Sequence, residues 1–169
     1  MWQEQILKTA DGQLLWCSKG TGKSLIFLHG GPGDEYRSLL PFVEPFTSHF
    51  RCIVFDQRGS GGSTLEYLDE ATLHPGRFVA DLEQLRSELQ AERAILVGHS
   101  WGAMLALLYG TTYPEQVERL LLIGLGPLSD EMDRVARANL MKPRLRSLHA
   151  QGLRGLALQQ PVQAAKCPV

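Results

Sequence analysis

Ala94-Ile95-Leu96-Val97-Gly98-His99-Ser100-Trp101-Gly102-Ala103-Met104-Leu105-Ala106-Leu107-Leu108 is the stretch that decides the fold. Four apolar residues closed by a glycine read as a buried strand. The apolar run after Gly102 reads as a helix that is apolar on nearly all faces, as a helix packed centrally on a sheet would be. Between them stands Gly-x-Ser-x-Gly. A strand that turns sharply into a helix through this pentapeptide is a nucleophile elbow, which holds a serine oxygen exposed above the sheet. Gly98 and Gly102 let strand and helix approach closely around the turn. The helix that opens near Trp101 aims its free N–H groups at the same point, so the Trp101 N–H is expected to be one oxyanion donor. His99, the neighbour of Ser100 in a tight turn, is expected to support the elbow.

A serine hydroxyl is a weak nucleophile until a base removes its proton. The acid and the histidine of such a site follow the elbow in chain order. The 69 residues after Ser100 hold one histidine, His149, with no strand before it. Asp130 and Asp133 follow soon after a strand and are kept as candidates for the acid. The reading is that the triad acid and base are missing from these 169 residues.

Two more loops follow apolar runs. Leu25-Ile26-Phe27-Leu28 leads into His29-Gly30-Gly31-Pro32-Gly33, a bare backbone able to present N–H groups to an anion. Gly31 is the candidate for the second oxyanion donor, with His29 and Gly30 supporting it. Cys52-Ile53-Val54-Phe55 leads into Asp56-Gln57-Arg58-Gly59-Ser60-Gly61-Gly62-Ser63. Ligands in open parallel sheets bind at such strand ends. Asp56 and Arg58 are expected to brace the loop. Gly22-Lys23-Ser24 matches the last letters of a phosphate loop, but it enters a strand where that loop would open a helix.

These three motifs, in this order, resemble the prolyl-iminopeptidase family of α/β-hydrolase-fold serine peptidases, over roughly residues 1 to 135. The resemblance implies acyl-enzyme chemistry at Ser100 and release of an N-terminal residue, characteristically proline, from a short peptide, amide or ester. No cofactor is expected, and the sequence shows no metal-ligand cluster. The family more often has glycine where His99 stands. Histidine there is common across α/β hydrolases at large, which keeps a general carboxylesterase as an alternative. Ser100 stands where the related epoxide hydrolases and haloalkane dehalogenases attack with a carboxylate. A third reading is a non-catalytic remnant. In the family, carboxylates around a cap recognise the substrate amine; Asp34 and Glu35, close to the oxyanion loop, are read as solvated.

Hydrophobic residues make up 44% of the chain and charged residues 21%, which is ordinary for a globular protein. No apolar run reaches the length of a membrane span, and Met1-Trp2-Gln3-Glu4-Gln5 lacks the form of a signal peptide. Cys17, Cys52 and Cys167 are widely spaced and read as reduced thiols, hence a cytoplasmic location. No membrane or nucleic-acid partner is expected, and the oligomeric state stays open.

Gln3 to Thr9 and Gln13 to Ser18 flank Asp11-Gly12, a hairpin signal. Phe78, Leu82, Leu85 and Leu89 recur at helical spacing, and Arg119 to Ile123 reads as one more buried strand. A hairpin followed by alternating strands and helices predicts an α/β fold: a mostly parallel sheet with helices on both faces, its final strands missing. Residues 1–127 are assigned to the core and 128–169 to the start of a helical cap or an out-of-frame tail. Charge changes near that boundary. Residues 1–133 hold 18 acidic and 10 basic side chains, and residues 134–169 hold seven basic and no acidic ones. A solvated cap helix, out-of-frame translation and nucleic-acid binding compete for this tail, the last lacking aromatics for stacking. Without further strands the Leu120-Leu121-Leu122-Ile123 run becomes an apolar edge, and without its base the elbow keeps only a remnant of activity, so a poorly soluble and nearly inactive chain is expected.

Overall fold

The computed structural model describes residues 1–31 and 33–125. Strands β1 (Gln3–Thr9) and β2 (Gly12–Lys19) form the expected hairpin, with Thr9 opposite Gly12. The two turn residues are therefore Ala10 and Asp11, one position earlier than the Asp11-Gly12 signal suggested. Neither has a positive φ. Gly12 is glycine for another reason: a Cβ there would collide with the Thr64 carbonyl.

Strand β3 (Ser24–Leu28) is followed by a short helical segment, 36–48, built around helix α1 (Leu40–Val43) with Pro41 in its first turn. Strand β4 (Arg51–Phe55) and the two-residue strand β5 (Thr64–Leu65) come next. Helix α2 (Pro75–Glu88) carries the predicted Phe78, Leu82 and Leu85 stripe and is capped by His74, whose Nδ1 accepts from the Gly76 N–H at 3.1 Å. Strand β6 (Ala94–His99), helix α3 (Trp101–Thr112) and strand β7 (Val117–Ile123) complete the described part.

The sheet order is β1-β2-β4-β3-β6-β7, with β5 paired to β2. The hairpin side is antiparallel, while β4, β3, β6 and β7 run parallel. Side chains of a strand alternate between faces, and both faces are apolar here. Leu25, Phe27, Cys52, Val54 and Val97 pack under Tyr36, Leu39 and Val43. Ile26, Leu28, Ile53, Phe55 and Leu96 pack under α2 and α3. The predicted α/β architecture with helical cover on both faces is present.

The strand expected over Arg119 to Ile123 exists, but it is not buried. Among the described residues β7 pairs on one side only, and Leu121, Leu122 and Ile123 are 48%, 37% and 39% exposed. Residues 128–169, with Asp130, Asp133, His149 and Cys167, lie outside the described residues, as does Pro32. Cys17 and Cys52 are buried free thiols. No described helix is long and apolar enough to cross a membrane.

Candidate active site

Because β3, β4 and β6 are parallel neighbours, the three loops singled out in the sequence leave the same edge of the sheet. At the centre, Ser100 has φ 54° and ψ −115°, a backbone conformation a non-glycine residue seldom adopts. Such strain costs on the order of 1–3 kcal/mol and persists only where the surroundings over-determine it. The causes are local. The Ser100 N–H donates to the Ile123 carbonyl at 2.9 Å, and the Ser100 carbonyl accepts from Ala103 N–H at 3.0 Å. A side chain on Gly98 would collide with the Gly102 carbonyl, and one on Gly102 with the Leu28 carbonyl. These two glycines therefore permit the close packing of β6, α3 and β3 that forces the turn.

Gly30 lies against this elbow. A methyl on Gly30 would sit 3.3 Å from His99 Nδ1 and 3.4 Å from Ser100 Cβ. Gly31 has φ +102°, open to glycine and strained for other residues. Trp101 is the first residue of α3, where an N–H has no partner inside the helix. Gly31 and Trp101 thus stand on the two segments that meet at Ser100. Ser100 itself is half-buried, and His99 is exposed at the end of β6.

His29 is fully buried. Its Nε2 faces the Gln57 backbone N–H at 3.0 Å, and its Nδ1 lies 2.7 Å from the Gly30 carbonyl. A backbone N–H can only donate, so Nε2 accepts and the proton resides on Nδ1, which donates to Gly30. Burial holds the imidazole below its usual pKa. With both nitrogens committed, His29 is a neutral structural histidine. Among the described residues, no histidine or carboxylate is hydrogen-bonded to the Ser100 hydroxyl.

The third loop is a brace. The buried Asp56 accepts from Tyr36 N–H at 2.7 Å and from Gly62 N–H at 2.8 Å, tying two loops to one carboxylate. Arg58 donates through Nε and Nη2 to Asp81, both at 2.8 Å, and reaches Asp11 at 3.1 Å and the Thr72 carbonyl at 2.6 Å. Donation from Arg58 holds the Asp11 carboxyl below the usual carboxylate range. Asp56 and Arg58 occupy the bracing positions expected of them. Asp34 and Glu35 are exposed: Asp34 accepts from Ser38 Oγ at 3.0 Å, and Glu35 approaches Arg37 at 3.5 Å.

Sequence reasoning missed two residues. Asp81 had a signal: it falls three after Phe78 and four before Leu85, a charge on the apolar stripe of α2. A charge there needs a buried partner. Gln57 had none, since a glutamine after a strand is ordinary loop polarity. In the structure it is 2% exposed, donates from Nε2 to the His29 carbonyl at 2.8 Å and accepts from Trp101 Nε1–H at 2.8 Å. No group of three His, Cys, Asp or Glu side chains among the described residues is arranged to hold a metal.

Comparison with known proteins agrees with this architecture. The family model described as alpha/beta hydrolase fold matches residues 23–160. A protein named probable proline iminopeptidase from Leptolyngbya boryana is 41% identical over 110 residues, covering 62% of this chain and 32% of that protein. The proline iminopeptidase of Xylella fastidiosa strain 9a5c is 39% identical over 110 residues, covering 64% of this chain and 34% of its own. The chain therefore spans about a third of the length of the curated relatives it matches. Among solved structures, epoxide hydrolase A from Mycobacterium thermoresistibile superposes with TM-score 0.66 at 25% identity, over 71% of this chain and 38% of that one. The thioesterase domain from the curacin biosynthetic pathway superposes with TM-score 0.68 at 26% identity, over 78% and 47%.

Proposed function

The chain belongs to the alpha/beta hydrolase fold family, and from that premise we propose that it carries the nucleophile of a serine hydrolase of the proline-iminopeptidase type. Ser100 is the attacking residue. The observation that carries this reading is the strained backbone of Ser100, held between two glycines that accept no side chain. Strain of this kind collects at functional sites, and a structural turn at this position would relieve it with glycine.

In this reading Ser100 gives its hydroxyl proton to the base as Oγ bonds to the carbonyl carbon of the substrate's first residue, and that same proton later goes to the leaving group. The carbonyl oxygen gains the negative charge, and the N–H groups of Gly31 and Trp101 hold it. The oxyanion then collapses, the bond to the amine or alcohol breaks, and that group leaves with a proton. Water removes the acyl group by the same steps in reverse order. His29 supplies neither base nor acid, because its Nε2 is occupied by the Gln57 N–H. The reading assigns the triad acid and base to positions outside the described residues. Its substrate is a short peptide or an amino-acid amide or ester with a free amine, and proline as the first residue follows from likeness to the relatives.

A second reading, a general carboxylesterase, is favoured by His99 at the position before the nucleophile. It differs in substrate and not in machinery. Turnover of a prolyl amide against an aryl ester separates the two.

Covalent labelling tests the nucleophile. The 169-residue chain is incubated with a fluorophosphonate at pH 9, where hydroxide ionises only a trace of every serine alike, so selective labelling of Ser100 requires activation at the elbow by the oxyanion N–H groups or a base. Labelling localised to Ser100 by peptide mass spectrometry, and lost in Ser100→Ala, is expected. Labelling of Ser100 at the rate of any surface serine would refute the reading.

A further inference from the structure

Gln57 lies between the two segments proposed above to hold the oxyanion, and it touches both. Its side-chain amide donates to the His29 carbonyl at 2.8 Å, one peptide before Gly30-Gly31. The other end of the same amide accepts from the Trp101 indole N–H at 2.8 Å. Its backbone N–H donates to His29 Nε2 at 3.0 Å, so His29 is held by both its carbonyl and its ring. Gln57 is in turn fixed from behind, because its carbonyl accepts from the Ser60 hydroxyl at 2.6 Å and the Ser60 N–H at 3.0 Å.

We propose that Gln57 is a positioning residue that sets the distance between the Gly31 and Trp101 N–H groups, and so the fit of the oxyanion hole. The inference rests on the reading of Ser100 as nucleophile. The chemistry of the residue explains why an amide is needed. One end must donate to a carbonyl and the other must accept from an indole, and the span from β4 to both neighbours needs two methylenes. A carboxylate keeps the acceptor and sets a negative oxygen against the His29 carbonyl. Asparagine is one methylene short. An aliphatic side chain leaves the buried His29 carbonyl and Trp101 N–H short of partners.

The consequence is a defect specific to oxyanion stabilisation. When a phosphonofluoridate reacts, a bond forms from Ser100 Oγ to phosphorus, the P–F bond breaks, fluoride leaves and the serine proton passes to hydroxide. Charge grows on the P=O oxygen, which an oxyanion hole binds. The P=S counterpart reacts at the same serine but presents a large, weakly accepting sulfur that gains little from the hole. The ratio of the two labelling rates therefore reports the alignment of the hole and not the integrity of the fold.

Ser100 labelling by the P=O and P=S probes is measured at pH 9 for the wild-type chain, Gln57→Glu and Trp101→Phe, with a thermal melt of each. Trp101→Phe severs only the indole arm and retains an aromatic ring against Phe78, which Trp101 meets edge-on at 5.5 Å. The expected result is a fall of about tenfold or more in the P=O rate, as a small misplacement of catalytic groups produces, with the P=S rate unchanged. An unchanged ratio, or both rates falling together, overturns the proposal and leaves Ser100 as the nucleophile. If Gln57→Glu shows no cooperative melt, the Trp101→Phe ratio decides. If the wild-type chain does not label selectively at Ser100, the hydrolase reading fails, and the role of Gln57 fails with it.

Discussion

A serine at φ 54° is the most informative residue of this chain, because its conformation opposes its own chemistry. The strain gives a prediction that separates backbone from side chain. Ser100→Ala keeps the Cβ and the strain, whereas Ser100→Gly removes both. Relief of strain stabilises by about 1–3 kcal/mol, and the greater freedom of glycine in the unfolded chain offsets about 0.5–1 kcal/mol of that. Ser100→Gly is therefore expected to be about 1 kcal/mol more stable than Ser100→Ala, read from urea midpoints at equal slope. Equal midpoints would mean that the elbow is not strained in solution. At this scale the sequence was legible where a residue type is obligatory. Ser100, Gly98 and Gly102 stood out because one pattern needs all three between a strand and a helix. Gln57 did not, because its role depends on three strand ends meeting, and nothing within its own segment encodes that.

Between elements, the Arg58 guanidinium joins the loop after β4 to α2 through a bidentate pair with Asp81, both side chains being nearly inaccessible at 2% and 5%. A buried pair of this kind is weak evidence for net stability, yet breaking it is costly because one charge is left behind. Asp81→Leu alone is expected to destabilise by about 3–5 kcal/mol. The double variant Asp81→Leu with Arg58→Met is expected to recover part of that loss, since no buried cation remains although Asp11 and the Thr72 carbonyl also lose their Arg58 partner. Denaturant midpoints of the two singles and the double close the cycle, and additive losses would show that the pair does not act as a unit. The elements themselves were largely readable. Four-residue apolar runs became β3, β4 and β6, and the Phe78-Leu82-Leu85 spacing became α2. The two-residue β5 is too short to show a period, and with it went the reason for Gly12, whose neighbour is the Thr64 carbonyl 52 positions away. The 36–48 segment is made of pieces of four or five residues, too short to show a helical period, with Pro41 and Pro45 each in the first turn of a piece.

Across the whole molecule, exposure is decided by the order of strands, which no single segment contains. Leu120-Leu121-Leu122-Ile123 has the composition of a central strand, and β7 is the outermost described strand of the sheet. Its register places Leu121 beside Val97 and Arg119 beside Ile95, so Leu121 continues a stripe that is buried on β6. The 36–48 segment covers that stripe over β3, β4 and β6. At β7 it ends, and Leu121 is 48% exposed. Among the described residues no strand pairs with the outer edge of β7, and an unpaired edge beside an apolar stripe is a template for pairing with another chain. The 169-residue chain is therefore expected to self-associate as concentration rises, visible in static light scattering. Leu121→Lys is expected to suppress this, because a charge at an open edge opposes strand addition. An exposed position away from special features changes stability by no more than about 0.5 kcal/mol, so the melting temperature of the variant should stay close to that of the parent. A parent that remains monomeric across the concentration range, or a variant that associates equally, would show that β7 is not the adhesive edge. A variant that loses association together with its cooperative melt would show instead that Leu121 belongs to the core, and that its stripe is covered in solution.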